Sequence, residues 1–131
     1  LTLADNTTNT ITDSSRLSTE EDYSAAIYSK EDLIINGNGT LNVNAGYRNG
    51  IKSTDDCIIV SGTLNITSTE DGIIGKDLCG IVAGDININA GSDGIKSTYD
   101  TDTTKGNVII EGGNITIKAS NDGIQAEYTC Y

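Results

Sequence analysis

The stretch DGIKSTYD, Asp93–Asp100, nearly repeats NGIKSTDD, Asn49–Asp56, at a distance of 44 residues. The dipeptide Gly-Ile inside both stretches recurs along the chain, at Gly50, Gly72, Gly94 and Gly123, with spacings of 22, 22 and 29 residues. The distance of 44 is therefore two periods, and the longer last spacing contains a polar insertion, TYDTDTTKG, residues 98–106. A fixed period of this length is typical of solenoid proteins, in which each repeat forms one structural unit.

Each repeat contains three short segments separated by polar or glycine turns. They are a Gly-Ile segment, an aliphatic segment and an alternating segment such as TLNVNA, TLNITS, DININA or NITIKA. The alternation has period two and uses β-branched residues, which predicts strands. We therefore predict an all-β protein, a right-handed parallel β-helix of about five coils with three strands in each coil. The chain is one domain over residues 1–131, with residues 1–23 as an N-terminal partial coil or cap and 24–131 as the repeating coils.

Aligning the repeats on Gly-Ile places residues of similar character in columns that point into the helix. One column is aliphatic: Ile27, Ile51, Ile73, Ile95 and Ile124. A second is small: Ser29, Ser53, Gly75, Ser97 and Ala126. A third contains the cysteines together with two aliphatic residues: Leu33, Cys57, Cys79, Val108 and Cys130. We expect the thiols to be free and buried, because neighbours in register on parallel strands have poor disulfide geometry.

The composition excludes several functions. The chain has no His, which removes imidazole chemistry, and its formal net charge of −11 repels nucleic-acid phosphates and anionic lipid. No apolar run approaches the roughly 20 residues needed to span a bilayer. We therefore expect neither a nucleic-acid partner nor a membrane span.

Several motifs in order resemble a known family. They are LTLADNTTNTITD, AAIYSKEDLIINGNGTLNVNAG, NGIKSTDD, EDGIIGKD, DGIKSTYD, GNVIIEGGNITI and NDGIQAE. Together they resemble the secreted bacterial carbohydrate-binding-domain family of β-helices, which is similar to pectate lyases in fold but is regarded as non-lytic. The resemblance implies a calcium-binding protein, extracellular or at the cell surface, that associates with pectin (polygalacturonic acid) or cellulose.

Acidic residues precede the Gly-Ile dipeptides and define a first acidic row, Asp71, Asp93 and Asp122. Stacking places these carboxylates at successive coils, where like charges repel and a cation would relieve the repulsion. Ca²⁺ takes six to eight oxygen ligands, and neighbouring side chains offer more of them: Glu70, Asn49 and Asn121. The structural alternative is that Asp or Asn before Gly is favourable turn chemistry, with Gly at positive φ. We expect Asp93→Ala to weaken calcium affinity and thermal stability together.

A second acidic row follows the Gly-Ile strand. It comprises Glu31, Asp32, Asp55, Asp56, Asp77 and Asp100, with Asp102 in the insertion. We interpret it first as a solvated face, and Asp55, Asp56, Asp77 and Asp100 as a second candidate for metal.

The outward side of the same strand carries four of the eight basic residues of the chain. These candidates for ligand binding are Tyr28, Lys30, Lys52, Lys76 and Lys96, joined by Arg48 at the first Gly-Ile turn. They form either a cationic strip for an acidic polysaccharide or local counter-charges to their acidic neighbours. Pectate-lyase chemistry needs a base, usually Arg, beside calcium, so Arg48 keeps lyase activity open as a minor alternative.

The sequence thus predicts a calcium-dependent binder of acidic plant cell-wall polysaccharide, with no catalytic residues assigned. The rival prediction is a structural solenoid that self-associates end to end into a filament or adhesin, through uncapped coil ends or an apolar face. That face comprises Ile34, Ile58 and Ile109, extended by Val60 and Val82. Contiguous exposed apolar surface usually marks an interface, and we expect the N-terminal segment 1–23 to cover it.

Overall fold

The computed structural model describes residues 1–14 and 23–131, and every regular element in them is a β-strand. The strands, numbered β1 to β15 along the chain, form three parallel five-stranded sheets. The aliphatic sheet contains β1 (Thr2–Leu3), β4 (Leu33–Gly37), β7 (Asp56–Ile59), β10 (Leu78–Ile81) and β13 (Asn107–Ile110). The Asn/Thr sheet contains β2 (Thr8–Asp13), β5 (Thr40–Ala45), β8 (Thr63–Ser68), β11 (Asp85–Ala90) and β14 (Asn114–Ala119). The Gly-Ile sheet contains β3 (Ala25–Ser29), β6 (Asn49–Ser53), β9 (Ile73–Gly75), β12 (Ile95–Lys96) and β15 (Ile124–Gln125).

Each strand pairs with its equivalent in the next coil, which confirms the predicted parallel β-helix of about five coils. In the Gly-Ile sheet, Ile51 pairs with Ile27 on one side and Ile73 on the other, and Ile95 with Ile73 and Ile124. Residues 98–106 insert between β12 and β13, yet Val108 still pairs with Cys79. The insertion therefore lies outside the ladder, as predicted from the spacing.

The core fills the space between the three sheets. Its fully buried side chains include Ile35, Leu41, Ile73 and Ile86. Leu41 and Ile86 alternate along their strands with polar residues that point outward. Burial of each large aliphatic side chain stabilises the fold by about 1.5–3 kcal/mol. No helix in the described part of the chain is long and apolar enough to span a membrane.

The glycines of the Gly-Ile dipeptides do not have the positive φ that the turn alternative predicts. Positive φ occurs instead at glycines of other turns, among them Gly37, Gly62, Gly84 and Gly113. At Gly72, an added Cβ would lie 2.5 Å from the carbonyl oxygen of Gly94 in the next coil. The positive φ of the turn alternative is therefore wrong, and at Gly50, Gly72 and Gly94 the next coil approaches too closely for a side chain.

The predicted register of the cysteine column is confirmed. The predicted burial of its thiols is confirmed for two of the three cysteines. Cys57 and Cys79 are fully buried neighbours, whereas Cys130 is exposed although it pairs with Val108. The reason is that Cys130 lies on the outermost described coil, so no other described strand stacks over it. All three thiols are free.

These environments predict one accessible thiol in the native protein. Burial raises the pKa of Cys57 to about 12 and that of Cys79 well above its usual value, which suppresses the reactive thiolate in both. Titration with an aromatic disulfide reagent at pH 8 should modify Cys130 rapidly and the other two only after unfolding. Rapid reaction of two or more thiols in the folded protein would contradict the buried positions.

Candidate functional site

The first acidic row lies in the turns that precede the strands of the Gly-Ile sheet. Its carboxylates accept hydrogen bonds from the backbone of the next coil. The amide of Asp93 donates to Oδ1 of Asp71 at 2.9 Å, and the amide of Asp122 donates to Oδ1 of Asp93 at 3.0 Å. At the start of the row, Oδ1 of Asn49 accepts from the amide of Asp71 at 3.0 Å. The row thus forms a ladder that ties one coil to the next.

Lys96 provides the positive charge in this row. Its Nζ lies 2.7 Å from Oδ2 of Asp93 and 3.8 Å from Oδ2 of Asp71, and Asn121 donates to Oδ1 of Asp93 at 2.7 Å. Burial opposes ionisation of Asp93, but the bonds from Lys96, Asp122 and Asn121 outweigh it and hold the pKa of this carboxyl below its usual value. Lys96 and the backbone amides therefore relieve part of the repulsion expected between Asp71 and Asp93.

Other members of the predicted cationic strip also have partners within the protein. Nζ of Lys52 donates to Oγ of Ser24 at 3.1 Å, and burial together with the nearby charge of Arg48 lowers the pKa of Lys52. Nε of Arg48 donates to Oε2 of Glu70 at 2.9 Å. Arg48 and Glu70 thus form an ion pair at the edge of the first acidic row.

The remaining strip residues contact aromatic rings. Lys30 lies over Tyr23 with Nζ 5.7 Å from the ring centroid, and Tyr23 meets Tyr28 edge to face at 5.5 Å. Nζ of Lys76 lies 5.1 Å from the ring centroid of Tyr99 in the insertion. Lys30 and Lys76 remain exposed, so these two lysines stay accessible to a ligand on the outer side of the Gly-Ile sheet.

The second acidic row brings carboxylates into closer association than the first. Oxygen atoms of Asp32, Asp55 and Asp56 all lie within 4.8 Å of one another. The backbone positions them, since the amide of Asp56 donates to Oδ1 of Asp32 at 3.3 Å across two adjacent coils. Two coils therefore contribute acidic groups to one cluster at the start of the aliphatic sheet.

Asp77 extends this cluster to a third coil. The carboxyl group of Asp55 is hydrogen-bonded to that of Asp77, and this bond is the main reason that the pKa of Asp55 is raised, followed by burial and the charges of Asp77 and Asp32. Burial, followed by the charges of Asp32, Asp55 and Asp77, raises the pKa of Asp56. The ionised forms of Asp55 and Asp56 are therefore disfavoured.

A pocket of about 440 Å³ opens beside these carboxylates, and we call it the acidic pocket. It is lined by Asp55, Asp56, Asp77, Leu78, Thr104, Lys105, Asn107 and Ile109. Oδ1 of Asn107 is buried and has no hydrogen-bond partner among residues 1–14 and 23–131, while Nζ of Lys105 pairs with Oδ2 of Asp77. Asp100 does not line the pocket, although sequence placed it in the same row. The sequence prediction missed Lys105 and Asn107. The polar insertion that precedes β13 was the signal for Lys105, and the repeat was the signal for Asn107, which stands in the column of Asp56 and Leu78.

The apolar face on the aliphatic sheet is exposed in the described part of the protein. Ile34 is 50% exposed, and Val60 and Val82 are 36% and 39% exposed. Residues 1–3 do not cover it, because Leu1 donates to the carbonyl of Ile34 and Thr2 pairs with Asn36 at the edge of the sheet. The expected cover is thus wrong for residues 1–14, and residues 15–22 lie outside the described part. Self-association through this face stays a prediction.

This chain is similar to known proteins in both sequence and fold. The model of a family described as carbohydrate-binding domain-containing protein matches residues 1–131. A protein of that description from Acetivibrio thermocellus is 38% identical over 68 residues, which cover 49% of this chain and 24% of the relative. A polysaccharide lyase-like protein from C. thermocellum, solved as a gadolinium derivative, is 30% identical with a TM-score of 0.85, over 98% of this chain and 62% of that structure. This chain therefore spans less than two thirds of either relative. Since the family model covers its whole length, the chain belongs to the carbohydrate-binding domain-containing protein family.

Proposed function

We propose that this protein binds an acidic polysaccharide outside the cell or at its surface, with Ca²⁺ held in the acidic pocket. The observation that carries the proposal is the convergence of carboxylates from three coils beside the unpartnered Oδ1 of Asn107. Family membership supports a carbohydrate as the ligand. Calcium and the acidic character of the polysaccharide are what the resemblance described above implies, and the proposal adopts them.

The residues of the acidic pocket fit a calcium ion. Ca²⁺ prefers carboxylate and amide oxygens, and it takes six to eight of them. Such oxygens come from Asp32, Asp55, Asp56, Asp77 and Asn107, some of which can be bidentate or assisted by water. A bound cation would also offset the charge repulsion that contributes to the raised pKa values, after the hydrogen bond with Asp77 at Asp55 and after burial at Asp56. The first acidic row fits less well, because Lys96 lies beside two of its three carboxylates, Asp93 and Asp71, whereas Lys105 pairs with Asp77 alone among the carboxylates of the pocket.

A cation at this position explains how an acidic protein could bind a polyanion. The net charge of −11 repels a uronic acid polymer, whereas bound Ca²⁺ could share its coordination between the pocket and a sugar carboxylate. The cationic strip lies next to the pocket along the chain, since Lys76 directly precedes Asp77. An extended polymer could therefore contact both the calcium ion and the exposed lysines of the Gly-Ile sheet.

The arrangement favours binding over lyase catalysis. A lyase needs its base beside the calcium-bound sugar, and Arg48 is the candidate that the sequence offered. Arg48 precedes β6 and pairs with Glu70, whereas Asp55 follows the other end of β6. The candidate base and the proposed calcium site thus lie at opposite ends of the same strand.

Retention on immobilised polygalacturonate tests this proposal. The purified protein should be retained with calcium present and released by excess chelator. The double variant Asp55→Asn/Asp56→Asn should lose calcium affinity by roughly a hundredfold, because it removes two charges from the ligand set, and should lose retention with it.

A matched control removes the same charge elsewhere. Asp85 and Asp100 are exposed and do not line the pocket, so Asp85→Asn/Asp100→Asn should behave as wild type. Wild-type retention that persists in chelator would refute calcium dependence. Retention of the Asp55/Asp56 variant equal to the control would place the calcium ion outside the acidic pocket.

A further inference from the structure

Lys105 is held at the acidic pocket by two different partners. Its Nζ pairs with Oδ2 of Asp77 and lies 4.9 Å from the ring centroid of Tyr99, on which Nζ of Lys76 also rests at 5.1 Å. Asp77 is buried, and the side chain of Lys105 is 42% exposed. Among the described residues that line the pocket, Lys105 carries the only positive charge. It therefore occupies the place of a counter-ion to the carboxylates.

Hydrogen bonds hold the backbone on the C-terminal side of Lys105 in place, whereas the side chain of Lys105 can change its rotamer. The carbonyl of Asp77 accepts from the amides of Gly106 at 2.6 Å and Asn107 at 3.2 Å. Nδ2 of Asn107 donates to the carbonyl of Thr104 at 3.0 Å, which closes the end of the insertion. The long side chain of Lys105 can thus exchange partners while the loop remains in place.

We propose that Lys105 couples calcium binding to polysaccharide binding by exchanging its partner. Without calcium, its ammonium group neutralises Asp77; when calcium takes the Asp77 carboxylate, the ammonium group is released at the pocket mouth and pairs with a carboxylate of the acidic polysaccharide. This inference rests on the calcium site proposed above. It adds a residue that binds the polymer and a reason for the polymer to bind only after calcium.

Two physical arguments support the exchange. A divalent cation attracts the shared carboxylates more strongly than a single ammonium group does, so the two compete for Asp77. The ring of Tyr99 stabilises a nearby ammonium group through a cation–π interaction, which keeps the released group near the pocket instead of in bulk solvent. Without this second partner, a freed lysine would lose more conformational entropy on meeting the polymer.

The variant Lys105→Met distinguishes calcium binding from polysaccharide binding, because the proposal predicts opposite effects on the two affinities. Calcium affinity, measured by calorimetry on decalcified protein, should increase about threefold, since the competing ion pair is partly exposed and therefore weak. Affinity for polygalacturonate at saturating calcium should decrease about threefold, because the released charge is missing. Lys105→Arg retains the charge and should restore both values toward those of wild type.

The control Lys118→Met removes the same charge from an exposed position on β14 of the Asn/Thr sheet and should change neither affinity. A wild-type protein that binds no calcium would overturn the proposed function itself, before any variant is compared. If the wild type binds calcium but Lys105→Met leaves either affinity unchanged, or shifts both in the same direction, the partner exchange is refuted and the calcium site stands. Thermal unfolding of each variant establishes that the affinities compare folded proteins.

Discussion

Replacing Gly72 with alanine is expected to lower the free energy of unfolding by about 3 kcal/mol, although the change adds a single methyl group. The new Cβ would lie 2.5 Å from the carbonyl oxygen of Gly94 and 2.6 Å from Cγ2 of Ile88. Both neighbours are constrained, since Gly94 belongs to the backbone of the next coil and Ile88 is buried in the core. The coils must therefore separate locally, and the melting temperature should fall by about 10 °C.

The last coil provides a matched control for this substitution. Gly123 occupies the same position in the repeat, yet an added Cβ would meet no atom within 4 Å. Gly123→Ala should therefore leave the free energy of unfolding within about 0.5 kcal/mol of wild type. Urea unfolding of the two variants under identical conditions makes the comparison. Equal losses in both would mean that glycine at this position is needed for its backbone conformation and not for close approach between coils.

The fold could be predicted because a stacked repeat converts sequence spacing into spatial neighbours. Once Gly50, Gly72 and Gly94 are aligned, every residue of one coil lies beside its equivalent in the next. The consistency of the resulting columns tests the alignment, and Ile51, Ile73 and Ile95 are all fully buried. Few folds allow this, because most bring together residues whose separation along the chain follows no period.

The candidate site could be predicted less completely from the sequence. Alignment of the repeats gives the position of a residue in its coil, but it does not give the direction in which a long side chain points. Lys96 belongs to the outward side of its strand, as predicted, yet its Nζ turns back to Asp93. Lys52 likewise bonds Ser24 in a neighbouring coil. These partners depend on rotamers and on burial, for which a repeat pattern carries no information.

The acidic pocket depends in part on a residue that breaks the period. Asp55, Asp77 and Asn107 follow from the repeat, since Asn107 begins β13 and pairs with Leu78, whereas Lys105 lies in the insertion that precedes β13. An insertion has no equivalent in other coils, so no column indicates where its side chains lie. Repetition thus specifies the scaffold of this protein, and the departure from repetition completes its candidate site.

Asp93→Ala is expected to destabilise the protein by about 3 kcal/mol, because it removes a buried carboxylate that several donors share. Asp93 is 1% exposed and accepts bonds from Lys96, Asn121 and the amide of Asp122. Within the described part of the chain, the substitution leaves the ammonium group of Lys96 with the more distant carboxylate of Asp71 as its one ion-pair partner. Asp93→Asn retains an oxygen that can accept from the amide of Asp122, so its loss should be smaller.

The pH dependence of this loss identifies its electrostatic origin. Because the folded pKa of Asp93 is lowered, its contribution to stability is present above the unfolded pKa of about 3.9 and disappears as pH falls through the lower folded value. The difference between wild type and Asp93→Ala in urea unfolding should therefore be full at pH 7 and shrink below about pH 4. A difference that is independent of pH down to pH 2 would show that packing, not ionisation, is responsible.

The calcium affinity of Asp93→Ala shows which of the two acidic rows binds the calcium ion. The sequence led us to expect that Asp93→Ala would weaken calcium binding and stability together. The structure pairs Asp93 with Lys96 and brings Asp32, Asp55 and Asp56 together in the other row. We therefore now expect a large loss of stability with unchanged calcium affinity at a temperature where the variant is folded. A parallel loss of both would return the calcium ion to the first acidic row, and would require Lys96 to leave Asp93 when the metal binds.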